Sequence, residues 1–300
     1  DVPAALVKDL LAPGTPIRTI SGHVAERMHI EGDPLQQVRV RGDIEFKQLS
    51  IDAPAIFSST LDRSEGRITF DIEGRPETWR LQRVDFLTSD LRFSLKGEIS
   101  GAGGSDPRVR LSFSTLSAPV SAWRKYLPLK LIGAPSFERL VDSVENGQFE
   151  IKKAAVDTTL AELRDLVRGA VPKGISLETE LREISAKPPI DNGLPLRALT
   201  GRINLANRAL ALQGFSGGYG DSRFTGLEGT YDLSSANGGN LDLYTRADVN
   251  LAELKNQLKA QEVASQLNKF LGSLEELGGR SRVEVSIKRR ISEPLQFEGK

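Results

Sequence analysis

Gly214-Phe215-Ser216-Gly217-Gly218 has the Gly-x-Ser-x-Gly spacing that presents a hydrolase serine on a sharp turn between a strand and a helix. Such a serine needs a histidine later in the chain to take its proton, and the two histidines, His23 and His29, both lie far upstream. No helical pattern follows the run either, so it reads as a glycine-rich hairpin leading into Tyr219-Gly220-Asp221. A phosphate-cradling loop fails at the same place, because no Lys-Ser or Lys-Thr pair follows the glycines. His23 and His29 sit among Glu26, Glu31 and Asp33, a donor set that could hold a metal. Six residues apart, they share no helix face, and on a strand they would stand ~20 Å apart, so surface histidines are the better reading. Asp90 and Asp221 could pair as carboxylates for glycoside hydrolysis, but both recur at equivalent places in a repeat, which fits turn chemistry better. Trp79, Trp123, Tyr126 and Tyr219 are too scattered to stack bases or sugars. The expectation is a chain with no catalytic residue, no cofactor and no metal.

The repeat spans two stretches in which the same signals follow in the same order. One copy reads LDRSEGRITFDI from Leu61, DLRFSLKGEI from Asp90 and RVRLSFSTLSAPV from Arg108. The other reads LRALTGRINLAN from Leu196, DSRFTGLEGTYDL from Asp221 and NLDLYTRADVNL from Asn240. In each, a Leu stands five residues before a Gly (Leu61 and Gly66, Leu196 and Gly201) and the Gly opens an alternating run. Repetition at this scale points to one structural module used twice.

Alternation of apolar and polar residues dominates elsewhere too, as in Val38, Val40, Ile44 and Phe46, or Val283, Val285 and Ile287. Strands with one apolar face belong to antiparallel sheets, since parallel sheets are covered on both sides. Asn146-Gly147, Asn192-Gly193 and Asn237-Gly238-Gly239 read as turns. Helical patterns are few: Ala4 to Leu11, Phe137 to Val144, Thr159 to Val167, and a longer one from Leu251 to about Leu277 with Asn250 as N-cap. That longest helix would plug or cover a sheet, or else lie on a membrane surface or a partner; its polar face mixes Glu and Lys, whereas an anionic membrane favours a basic one. The expected fold is mainly β: a long, curved antiparallel sheet of repeated blocks forming a half-open groove, with a few short helices and one longer amphipathic helix. The expected segments are a first β block with an N-terminal helix (1–135), a connecting region (136–195), a second β block (196–250) and the helix with the start of a further strand block (251–300). If one side of the sheet carries the apolar faces, its lining includes Ile68, Phe70, Leu91, Phe93, Leu95, Val109, Leu111, Phe113, Ile203, Leu205, Leu241 and Leu243.

Forty basic residues balance forty acidic ones, so no global field draws in nucleic acid. The absence of cysteine excludes disulfides, thiolate metal sites and cysteine nucleophiles. No stretch reaches the ~18 apolar residues of a membrane-spanning helix. The chain starts at Asp1 and ends just after a strand-like run, and reads as a segment of a longer protein with any anchor outside it.

These features resemble the AsmA-like family of bacterial envelope proteins, of the TamB and YhdP type. The resemblance rests on the Leu-x-x-x-x-Gly-x-Ile-x-Leu type openings at Leu61 to Phe70 and Leu196 to Leu205, and on the Tyr219-Gly220-Asp221-Ser222 turn. It rests also on the glycine-containing strands at Lys96 to Gly101 and Leu227 to Leu233, and on the stretch from Val40 to Ala55. The resemblance implies a non-enzymatic protein of the Gram-negative periplasm, anchored in the inner membrane, whose apolar β groove carries phospholipid or another acyl lipid for outer-membrane biogenesis. Envelope membrane proteins are the implied protein partners. This chain differs in lacking a visible anchor, and its long helix interrupts the β blocks. A scaffold β repeat with a closed core and no lipid ligand is the alternative.

Overall fold

The computed structural model describes residues 2–3, 17–33, 35–55, 57, 60–115, 117–126, 141–166, 171–187, 193–234, 239–260 and 278–290. Among them the protein is mainly β, an open antiparallel sheet with a few short helices. The hydrogen-bonded order follows the chain, with one two-residue strand off the path. Two compact units divide it: residues 1–138, 149–179 and 205–208, and residues 139–148, 180–204 and 209–300.

The first unit holds β1 (Val2–Pro3), β2 (Thr19–Asp33), β3 (Gln37–Asp52), β4 (Leu61–Arg75), β5 (Thr78–Thr88), β6 (Arg92–Ser100) and β7 (Arg108–Thr115). The short β8 (Ala118–Pro119) leads into helix α1 (Val120–Tyr126). Most of β9 (Val144–Thr159), helix α2 (Leu160–Leu166) and the start of β10 (Ile175–Ala186) complete it. Helix α2 starts where Thr159 and Glu162 form a reciprocal box: the Glu162 amide donates to Thr159 Oγ1 at 3.3 Å, and the Thr159 amide to Glu162 Oε2 at 3.4 Å. The second unit contains most of β11 (Leu196–Ala206), then β12 (Ala209–Tyr219), β13 (Ser222–Asp232), β14 (Asn240–Asn250), helix α3 (Leu251–Ala260) and β15 (Arg280–Arg290). Asn250 caps α3 as its sequence predicts, its Oδ1 accepting from the amides of Ala252 and Glu253 at 3.1 and 3.2 Å.

The quoted repeat segments fall on β4, β6 and β7, and on β11, β13 and β14. The structure gives their odd Leu-to-Gly spacing a physical reason. Side chains on a strand alternate, so residues five apart should face opposite ways. Arg63 and Ala198, each two residues after the Leu, are left-handed (φ 43° and 49°). On β4 the register jumps there, pairing Ile51 with Leu61, Leu49 with Ser64 and Phe46 with Gly66. This bulge absorbs one residue of phase and keeps Leu61, Ser64, Gly66 and Ile68 on one side. The glycine then makes room for a ring: a Cβ on Gly66 would lie 2.7 Å from the Phe46 ring, and one on Gly201 2.5 Å from Phe215.

Two turns expected from sequence are not turns. Asn146-Gly147 lies inside β9, where Gly147 takes φ 118° beside the Ile184 backbone, and Gly214 to Gly218 lies inside β12, where Gly214 (φ 60°) sits within a register shift between Leu212 and Phe215. In both cases glycine serves a bulge within a strand, a conformation local composition cannot separate from a hairpin. The expected helix at Ala4 to Leu11 lies outside the described residues, as do the ends of those at Phe137 and Leu277, while Val144 opens β9.

Two outcomes follow for stability, both measured by urea unfolding. Gly201→Ala drives a methyl into Phe215 and costs about 1–3 kcal/mol, whereas Gly103→Ala, with open space around it, stays within about 0.5 kcal/mol. At the left-handed bulge, Ala198→Gly is more stable than Ala198→Val by about 1–2 kcal/mol, because a β-branched residue tolerates that φ least.

Candidate functional site

In the first unit, register lines apolar side chains into rows that cross the strands. One row runs Met28, Gly42, Phe70, Val84, Leu95, Phe113 and Ala154; the next runs Ile30, Val40, Ile72, Leu81, Gly97, Leu111 and Val156. Six strand spacings make each row ~29 Å long. A flanking row, Ile44, Ile68, Phe86 and Phe93, begins at Glu26 on β2, the one charge among these three rows. Rings touch along the face: Phe46 to Phe86 at 6.2 Å, Phe86 to Phe93 at 4.9 Å, Phe93 to Phe113 at 5.3 Å.

Helix α1 closes one part of this face. Its Trp123 packs on Phe113 at 6.3 Å and Phe149 at 5.6 Å and donates its indole N–H to the Phe149 carbonyl at 3.1 Å. Trp123, Ala122, Leu91, Ala118 and Ile151 form the buried cluster. Leu91, expected on an open lining, is therefore shut under α1 at 3% exposure, and Val109 is buried as well. Ile68, Phe70, Phe93, Leu95, Leu111 and Phe113 are half-buried, and so are Ile203 and Leu205 on β11 and Leu241 and Leu243 on β14. Toward β2 the face opens: Met28 is 50% and Ile30 61% exposed.

The opposite face is charged and pairs with itself. Arg39 grips Asp71 through Nε (2.8 Å) and Nη2 (2.6 Å), Arg80 reaches Glu98 at 2.9 Å, and Arg67 meets Glu45 directly across β3 and β4. Arg108 and Arg110 share Asp157 at 2.7 and 3.3 Å. In the second unit Arg280 pairs with Asp248, Arg246 with Glu284 and Lys288 with Asp242. Exposed pairs of this kind add little stability singly, but they spread neutral charge over the face and set cross-strand register. The Arg39 hydrogen bonds hold the Asp71 carboxyl below its ordinary range, against a smaller opposing effect of burial, and the Arg39 charge adds to them.

The second unit carries an apolar pocket that is partly open to solvent. Phe224 and Leu227 of β13, Ala247 and Val249 of β14, Leu196 of β11 and Leu254 of α3 line a cavity of about 410 Å³. Helix α3 is fastened to the β12–β13 turn: Glu253 Oε2 accepts from the Asp221 amide at 2.7 Å, and Ser222 Oγ accepts from the Asn250 amide at 3.1 Å. In the first unit the corresponding turn is tied to α1, with Tyr126 Oη donating to Asp90 Oδ1 at 3.2 Å. Asp90 also accepts from Thr88 Oγ1 at 2.9 Å, and both aspartates serve turns.

The remaining candidates for chemistry fall in different units. Ser216 stands within β12, and His23 and His29 on β2 of the other unit, with His29 Nε2 2.9 Å from Glu31 Oε1. Among the described residues no three His, Asp or Glu side chains are grouped to hold a metal, and no helix is long and apolar enough to cross a membrane. Sequence reading missed the cavity and the closure by α1, because both depend on where a helix after a strand folds back; Trp123, set aside as scattered, is the plug.

The chain matches no family model, no curated protein and no solved structure.

Carbon-detected titration checks the charged face. Asp71 titrates below its ordinary value of 3.8, and Arg39→Gln moves it back up. Because the folded carboxyl is the stronger acid, the pair's contribution is present above the unfolded value and fades as pH falls through the folded one.

Proposed function

We propose that the half-exposed apolar faces hold the acyl chains of phospholipid or a similar lipid, and that the chain is a non-enzymatic, lipid-binding or lipid-conducting segment of an AsmA-like protein. The observation that carries this reading is the set of continuous apolar rows, six strand spacings long, whose side chains are only half-buried beside a charged face already paired with itself. A sheet that used those residues as a closed core would bury them. A bilayer leaflet holds a tail ~15 Å long, so a ~29 Å row gives it a complete apolar bed, and each methylene taken from water is worth ~0.8 kcal/mol. The periplasm of a Gram-negative bacterium, an inner-membrane anchor outside this segment and envelope membrane proteins as partners belong to the same proposal through the family resemblance.

The cluster of Trp123, Leu91 and Ile151 favours the scaffold reading for the stretch under α1, where the apolar face is an ordinary core. A direct experiment separates the two. Delipidated protein takes up fluorescent phospholipid from vesicles, and Phe70→Asp or Leu95→Asp lowers uptake at least tenfold while the circular dichroism spectrum is kept. No uptake by the wild-type chain, and no lipid found by mass spectrometry after purification, sinks the lipid reading and leaves the scaffold.

A further inference from the structure

A sheet whose hydrogen-bonded order follows the chain has an edge at each end, and this one treats its two edges differently. The edge at β15 carries Arg280, Arg282 and Lys288, positive charges of the kind that keep strand edges from pairing with other chains. The edge at β2 has no such guard. β1 covers it at Val24 and His23, and among the described residues no strand pairs with the outer side of residues 25–33. That stretch contains neither lysine nor proline, and residues 26–33 are exposed on both faces of the strand. Met28 and Ile30 stand there at 50% and 61% exposure, each at the end of one of the two long apolar rows.

This edge is complementary to itself. A two-fold axis perpendicular to the sheet pairs two copies antiparallel and keeps both apolar faces on one side, so opposed residues belong to the same face. The register that uses the whole open stretch and stays clear of β1 has its axis at His29. It sets Arg27 opposite Glu31 of the other copy, Met28 opposite Ile30, and Glu26 opposite Gly32, each twice. Arg27 forms no ion pair or hydrogen bond among the described residues, although Asp43 lies across from it on β3. Glu31 accepts from Arg41 at 3.1 Å and lies 2.9 Å from His29 Nε2, which holds its carboxylate on the charged face where the second arginine arrives. Gly32 leaves room for Glu26, the one charge on the apolar side. An axis at Ile30 loses two facing pairs; one at Met28 opposes Glu26 to Ile30 and runs into β1.

We infer that two copies of this chain join edge to edge through residues 25–33 of β2, antiparallel about an axis at His29. This pairing supplies about eight to ten main-chain hydrogen bonds, the number an ordinary protein interface carries. The Met28 row of each copy then runs on into the Ile30 row of the other, so both long apolar rows continue into the second copy with no charge between them. The inference is independent of the lipid reading, since a scaffold with a closed core would join in the same way.

Sedimentation equilibrium of the full chain at micromolar concentration gives twice the 32.8 kDa chain mass. Arg27→Glu and Glu31→Arg each set like charges opposite one another and weaken association at least tenfold with the circular dichroism spectrum kept, and an equimolar mixture of the two recovers the dimer. Ile30→Lys, which puts a charge against Met28, weakens it as much and serves should Glu31→Arg disturb the contact with Arg41. The chain has no cysteine, so the register can be read directly: His29→Cys forms an intermolecular disulfide on air oxidation and Ser286→Cys on β15 does not. A wild-type chain at monomer mass throughout, association undiminished in Arg27→Glu and Ile30→Lys, or a disulfide in Ser286→Cys and none in His29→Cys overturns the inference.

Discussion

Side chains on a strand alternate with a period of two, and this sheet must carry that alternation through many strands without letting the apolar set change sides. A slip of one residue anywhere would turn an apolar row into a charged one. Much of the structure serves to prevent it. Left-handed residues at Arg63 and Ala198 take up the odd residue of each opening, cross-strand pairs such as Arg67 with Glu45 and Arg80 with Glu98 penalise the wrong register, and glycines at Gly66 and Gly201 seat a neighbour's ring. The apolar face and the neutral charged face are two results of that one requirement.

Because phase is written in residue type, the strands were largely legible. Leu91 to Ile99, Val109 to Phe113 and Leu241 to Val249 alternate in sequence and fall on β6, β7 and β14, Leu91 alone preceding its strand. The N-cap at Asn250 was legible for a related reason, as capping is a contact within three residues. What sequence could not give is whatever depends on an element returning from a distance. Whether Trp123 is scattered or central depends on α1 folding onto Phe113 and Phe149, and whether Gly147 makes a turn or a bulge depends on Ile184 lying beside it. Leu91 and Val109 look identical to Leu95 and Leu111 in pattern, yet a helix covers the first of them and leaves Leu95 half open.

The serine, histidine and aspartate candidates show the same division from the chemical side. Each was weak in sequence for want of a partner, and the fold supplies each with a local occupation: Ser216 in a strand, His29 against Glu31, Asp90 among Thr88 and Tyr126.

The bulge at Arg63 and Ala198 also bears on how such a chain can change over generations. A single inserted or deleted codon within β6 or β14 would reverse every side chain beyond it, so those strands are closed to length variation. At Leu61 to Ser64 and Leu196 to Leu199 one residue of slack already exists, and losing or gaining it there can be met by opening or closing the bulge. Length changes in descendants of this sequence should therefore gather at those two points and in the loops, which makes the bulge a tolerance built into an otherwise unforgiving pattern.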